Sequence, residues 1–137
     1  MTDRPTDATL WPAQAAGRVT LPGSDLAFDV PSGQAVTLQE VIVDTPSPDM
    51  AIYRFRFLTP AIARDLGQMN FEASLPDMQH LCDSYAVTQI RPPMPAASQV
   101  IIAFSDRVLP FGDTVPEATQ FFVAFTVKDG VCVLEPF

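Results

Sequence analysis

Basic residues are scarce in this chain: one lysine, seven arginines and one histidine stand against sixteen acids in 137 residues, a formal net charge of −8. That balance excludes nucleic acid as a partner, because phosphate binding needs a basic patch and none is visible. An anionic membrane surface is disfavoured on the same ground. The acids are spread along the chain and not gathered in a tail, so they serve solubility, with attraction to a basic partner as the sharper reading. No apolar run approaches the roughly 20 residues of a transmembrane segment, and no apolar stretch of a secretion signal follows Met1. Taken literally the chain starts in the cytoplasm, yet "PAQAAG" at 12–17 has the small-residue character of a signal-cleavage site. Cysteine occurs twice, with no CxxC, and one histidine with two cysteines falls short of the four ligands of a structural zinc site. GxSxG and Gly-rich loops are absent too, so neither a nucleophile elbow nor a phosphate cradle is expected. No metal, no cofactor and no catalytic residue is assigned.

What is present describes a folded, β-rich domain. An apolar fraction of 47% against 18% charged is far from the profile of disordered chains. Fourteen prolines demand many loops and few long helices. Residues 1–18, with two prolines and no sustained period, read as a flexible leader, and 19–137 as a single domain. "LAFDV" (26–30) and "AVTLQEVIVD" (35–44), separated by "PSG", predict two consecutive strands. "AIYRFRFL" (51–58) alternates most clearly, with Tyr53, Phe55 and Phe57 toward the core and Arg54 and Arg56 toward water or a partner. "TPAIARDLG" is a short helical turn or structured loop, and "RPPMPAAS" (91–98) a stiff connector. "QVIIAFS" (99–105) is apolar on both faces, as a central strand would be. "TQFFVAFTV" and "VCVLEPF" flank "KDG", whose Asp-Gly step predicts a hairpin. The fold class is therefore α+β: an antiparallel sheet of about five or six strands with one main helix packed on it.

That helix is predicted over "SLPDMQHLCDSYAV", with Ser74 as its cap and Asp77 three positions on. At about 100° per residue, Leu75, Met78, Leu81, Cys82 and Tyr85 share an arc of about 120° and should be buried. Asp77, Gln79, His80, Asp83 and Ser84 fill the solvated remainder. Cys82 lies about 160° from His80, so the two cannot form a local pair. Asp77, His80 and Ser84 stand side by side and mimic an acid, base and hydroxyl triad, but without an oxyanion hole they read as a solvated face.

Cys82 on the helix and Cys132 on the last strand suit either one disulfide closing a loop of about 50 residues or two thiols buried as small apolar groups. The loop from Asp106 to Asp113 is the exposed segment most suited to a protein partner, with Arg107 and Phe111 as the contact residues. Phe55, Phe57, Phe104, Phe121 and Phe125 read as plain core; lining a cavity between helix and sheet is the alternative.

"FRFLTPAIARD", "DMQHLCDSYA", "FSDRVLPFGD", "EATQFFVAF" and "DGVCVLEPF" resemble a family of small uncharacterised bacterial proteins, a domain of unknown function found mainly in alphaproteobacteria, over Leu21 to Phe137. Members typically carry an N-terminal secretion signal, so the resemblance implies a periplasmic or secreted home and a disulfide between Cys82 and Cys132. It brings no catalytic residue. The expectation is a non-enzymatic protein-binding or envelope-assembly module, against a small-molecule-binding or enzymatic domain as the alternative; oligomeric state is not read from the sequence. If the disulfide forms, alkylation of the native, unreduced protein will leave its intact mass unchanged, and two added groups would show free thiols.

Overall fold

The computed structural model describes residues 17–136. The leader expected at 1–18 lies outside the described residues except for Gly17 and Arg18, which open the first strand. Six strands follow in chain order, β1 (Gly17–Ser24), β2 (Thr37–Ser47), β3 (Met50–Leu58), β4 (Gln99–Ser105), β5 (Gln120–Lys128) and β6 (Val131–Leu134), and they neighbour one another in that same order. Between β3 and β4 the chain runs through a 3-10 turn, Pro60–Ile62, and the main helix α1 (71–89). The domain is α+β as expected, but its sheet is mixed. β3 and β4 pair in parallel, Ile52 opposite Gln99 through Leu58 opposite Ser105, while the other four pairings are antiparallel. The parallel pair is what a crossover through a helix produces, since a tight turn cannot return a strand in the same direction.

The alternation in β3 predicts its burial well. Tyr53, Phe55 and Phe57 are buried together with Phe104, Phe125 and Ile102 beneath α1. Burial pushes the Tyr53 phenol above its ordinary pKa, and its hydroxyl donates to the Pro95 carbonyl at 2.5 Å. The β5–β6 hairpin turns on Asp129 and Gly130, both at positive φ (53° and 77°), the backbone that a two-residue type I′ turn requires.

"LAFDV" does not form a strand. Residues 25–36 make a loop, and the first hairpin pairs β1 with β2 instead. Val30 C=O accepts from Gly33 N–H across the Pro31–Ser32 turn, where Gly33 has φ of 81°, and Phe28 N–H donates to Val36 C=O. The loop thus folds on itself before any sheet partner is reached. The Phe28 ring packs edge-on against Phe57 and Tyr85 at 5.5 and 4.7 Å, so the apolar alternation still buries side chains, without a ladder. Gly23 stands outside the pairing of an otherwise unshifted β1–β2 ladder; a Cβ there would lie 2.1 Å from the Leu38 carbonyl oxygen, which no other residue tolerates.

The helix starts earlier than its sequence signals suggest. Asn70, not Ser74, is the cap: its side chain accepts the Ala73 N–H at 2.8 Å. Pro76 lacks the N–H that would reach the Glu72 carbonyl, and exposed Glu72 leaves that carbonyl to water. After Leu81 the helix widens into a π turn, Cys82–Ala86, before a last α turn, Val87–Gln89. Met78, Leu81 and Cys82 are buried as the helical wheel requires, with Leu75 and Tyr85 half-buried.

Asp77 overturns the expectation of a solvated polar face, because it is fully buried. Its carboxylate accepts from Ser32 N–H at 2.9 Å, the Ser32 hydroxyl at 2.5 Å and the Gln34 amide at 2.8 Å. The 25–36 loop is thereby fastened to the helix. Asp83 is engaged as well, accepting the Cys132 N–H at 2.8 Å, while Gln79 donates to the Cys132 C=O at 2.9 Å. The sulfurs of Cys82 and Cys132 sit 2.03 Å apart in a disulfide that joins the π turn to β6 across 50 residues. A cross-link of that span is worth about 4 kcal/mol in the chain-entropy model.

Removing the Asp77 carboxylate strands the buried Gln34 amide and releases both donors of exposed Ser32. Asp77→Ala is expected to lower the unfolding free energy by about 2–4 kcal/mol, measured by urea denaturation, and a loss below about 0.5 kcal/mol would show the loop is not held this way.

Candidate functional site

Strand alternation gives the sheet two faces, and α1 with the 25–36 loop covers only one. The other face receives Arg18 from β1, Glu40 and Asp44 from β2, Arg54 and Arg56 from β3, Ile101 and Ala103 from β4, and Phe122 from β5. A loop of residues 106–119 folds across part of this face. Asp106 and Thr119 pair at its neck, through Asp106 N–H to the Thr119 carbonyl and Thr119 N–H to the Asp106 carboxylate, each at 3.1 Å. Leu109 is buried beneath it, and the Leu109 carbonyl accepts from Gln39 at 2.8 Å and from Arg56 at 2.9 Å.

At the loop's tip the Phe111 ring is surrounded by cations. The guanidinium carbons of Arg18, Arg54 and Arg56 lie 5.0, 5.4 and 5.4 Å from its centroid. Each such contact contributes about 0.5–1 kcal/mol where water has access. Carboxylates hold the arginines in place: Asp44 bonds Arg18 at 2.6 Å and also Arg54, and Glu40 bonds Arg56. The hydrogen bond from Arg18, aided by Arg54, holds the Asp44 carboxyl below the usual carboxylate range despite its partial burial. Arg56, expected in water or at a partner, is 6% exposed and is consumed by these internal contacts.

Arg107 and Phe111, the residues singled out for partner contact, belong to this one loop but play different parts. Arg107 bonds Asp106 at 3.1 and 3.0 Å and the Glu117 carbonyl at 3.1 Å, and so staples the two sides of the neck. Its hydrogen bond depresses the Asp106 carboxyl. Phe111 is 41% exposed, one ring face given to the arginines.

The residue that sequence reasoning missed is Phe122, 67% exposed; Val131 and Val133, at 56% and 46%, lie farther along the β5–β6 hairpin, opposite Lys128 and Thr126. Phe111 and Phe122 flank a groove of about 370 Å³ floored by Ile101 and Ala103, with Arg54 and Arg56 on one side. A signal was present: Phe121 and Phe122 are adjacent in a strand, so one of them must face away from the helix.

The mock triad is not assembled. Asp77 turns inward to Ser32, His80 is exposed, and the Ser84 hydroxyl donates to the His80 main-chain carbonyl at 2.7 Å. Among the described residues no cluster of three or more His, Cys, Asp or Glu is placed to hold a metal, and no helix is long and apolar enough to cross a membrane.

Fold and site define a single-sheet α+β domain with one face packed and one face offered. The chain belongs to a family of unknown function, DUF6497, whose model matches residues 8–137. No curated protein and no solved structure matches it.

The two depressed carboxyls, Asp44 and Asp106, set an acid limit. A folded-state pKa below the unfolded one gives stability that is present above the unfolded value, about 4, and lost as pH falls through the folded value. Unfolding midpoints in urea should therefore be level near neutrality and drop below about pH 4. Asp44→Asn should be less stable than the parent at pH 7 and approach it at pH 3; an unchanged gap at both pH values would refute the assignment.

Proposed function

We propose that this protein is a non-enzymatic, extracytoplasmic module that binds a protein partner through the uncovered face of its sheet. The observation that carries this reading is Phe122, a large aromatic two-thirds exposed on a strand, which shares with Phe111 a groove floored by Ile101 and Ala103. Well-packed aromatic anchors dominate protein interfaces, and contiguous apolar patches on soluble domains mark interaction sites. Phe111 and Arg107 would frame the same surface, Phe111 beside the groove and Arg107 at the loop neck. Residues 19–137 then act as one domain.

The disulfide supports an oxidising compartment, because such bonds persist in the periplasm or outside the cell and are reduced in the cytosol. The resemblance to secreted alphaproteobacterial proteins supports the same location. A ligand lodged between the helix and the β1 side of the sheet is less well supported. The hollow at the β1 end of that space is about 120 Å³, small beside the roughly 300 Å³ at which ligand pockets begin.

A photo-crosslinking residue at exposed Asp113, which lines the same groove as Phe122, is expected to give one discrete adduct in the native host, and the same residue at Glu72, on the helix, none. Phe122→Glu should abolish the adduct while shifting the unfolding free energy by no more than about 0.5 kcal/mol, as an exposed position allows. Equal adducts at both positions, or an adduct indifferent to Phe122, would end this reading.

A further inference from the structure

A second hollow, of about 480 Å³, lies where the start of α1 meets the start of β5, sharing Gln120 with the groove on the uncovered face. Its size falls within the range of small-molecule sites, roughly 300–1,000 Å³. Three features give it a chemical character. The first is charge. Arg64 lines it and no acid does, in a protein of net charge −8. The Arg64 guanidinium is held by main-chain carbonyls, Pro116 at 2.7 Å and Ala118 at 3.4 Å, and by no carboxylate among the described residues, so its charge is not neutralised. The N-terminal end of α1, capped by Asn70 beside the cleft, adds the positive pole of a 19-residue helix.

The second feature is an unused hydroxyl. Thr119 lines the cleft and is 4% exposed, and its Oγ1 has no hydrogen-bond partner among the described residues. A buried hydroxyl without a partner is destabilising, and a ligand oxygen would relieve it. The third is an apolar wall. The Phe71 and Phe121 rings meet edge to face at 5.7 Å and both line the cleft.

We infer that this cleft binds the carboxylate of a small apolar organic acid, with Arg64 and the helix end facing the carboxylate and the two phenylalanines facing the hydrocarbon body. One guanidinium suits a single negative charge better than a dianionic phosphate, which ordinarily draws several donors or cations. This site borders the partner surface at Gln120 and does not depend on it.

The probes are 3-phenylpropanoate, its neutral amide 3-phenylpropanamide, and inorganic phosphate, each titrated into the whole chain while backbone amide resonances are followed. The carboxylate should saturate shifts at Gly67, Asn70, Ala73 and Thr119, with the amide binding about five-fold more weakly, the loss of roughly one charge-assisted contact. Arg64→Gln should bring the carboxylate down to the level of the amide, and Arg64→Lys should keep the preference. Thr119→Val should weaken the carboxylate without lowering the melting temperature, since it removes an unpaired group. Equal binding of acid and amide, tighter binding of phosphate, or shifts confined to other surfaces would each overturn the assignment.

Discussion

Cys132 is gripped three times by α1: its sulfur by Cys82, its N–H by Asp83 and its carbonyl by Gln79. Most of the architecture follows from that grip. β6 is four residues long and stands at the edge of the sheet, where unpaired backbone groups invite association with other chains. Here the outward groups of its Cys132 are taken by side chains from the helix. The same three contacts fix α1 over the sheet, so that Met78 and Leu81 reach the core formed by Phe55, Phe57, Phe104 and Phe125. Closing an edge and seating a helix are one event.

The opposite face is governed by electrostatics and not by a covering helix. Three arginines and two acids sit on adjacent strands in register, Asp44 beside Arg18 and Glu40 opposite Arg56. Their mutual pairing keeps charged side chains extended over the strands, and Phe111 rests on them. The 106–119 loop can lie against a charged surface because the ring offers the cations its electron-rich face. That arrangement covers the β1–β3 half and leaves the β5–β6 half, with Phe122, open.

Much of this was legible wherever one physical signal acted alone. β3 showed its period because both its faces have distinct environments, and the Asp129–Gly130 turn admits few backbones. The apolar side of the helix followed similarly, whereas the strand count matched only because β1 replaces the strand expected at 26–30. Competition between signals hid the rest. Residues 26–30 alternate like a strand, but the turn at Pro31–Gly33 and the bond to Val36 satisfy that backbone locally, leaving β1 to take the sheet edge. Ser74 and Asp77 imitate a helix start, yet Asn70 caps four residues earlier and both are buried inside. Asp77 could not be recognised as buried without knowing that Ser32 and Gln34, more than forty residues upstream, would meet it. The Phe111 platform joins three strands and a loop, and no local pattern encodes it.

The order of the strands in space carries a further meaning for how the molecule comes together. β1 to β3 and β4 to β6 are each three-stranded meanders of neighbours in sequence, and within the sheet they meet along the β3–β4 seam, where Ile52 pairs with Gln99. Contacts near in sequence close with little loss of chain entropy, whereas that seam must enclose the whole crossover. The crossover helix packs on β4 and β6, so the bond from Cys82 to Cys132 fastens the crossover to the second meander and shortens the free chain that the seam must enclose.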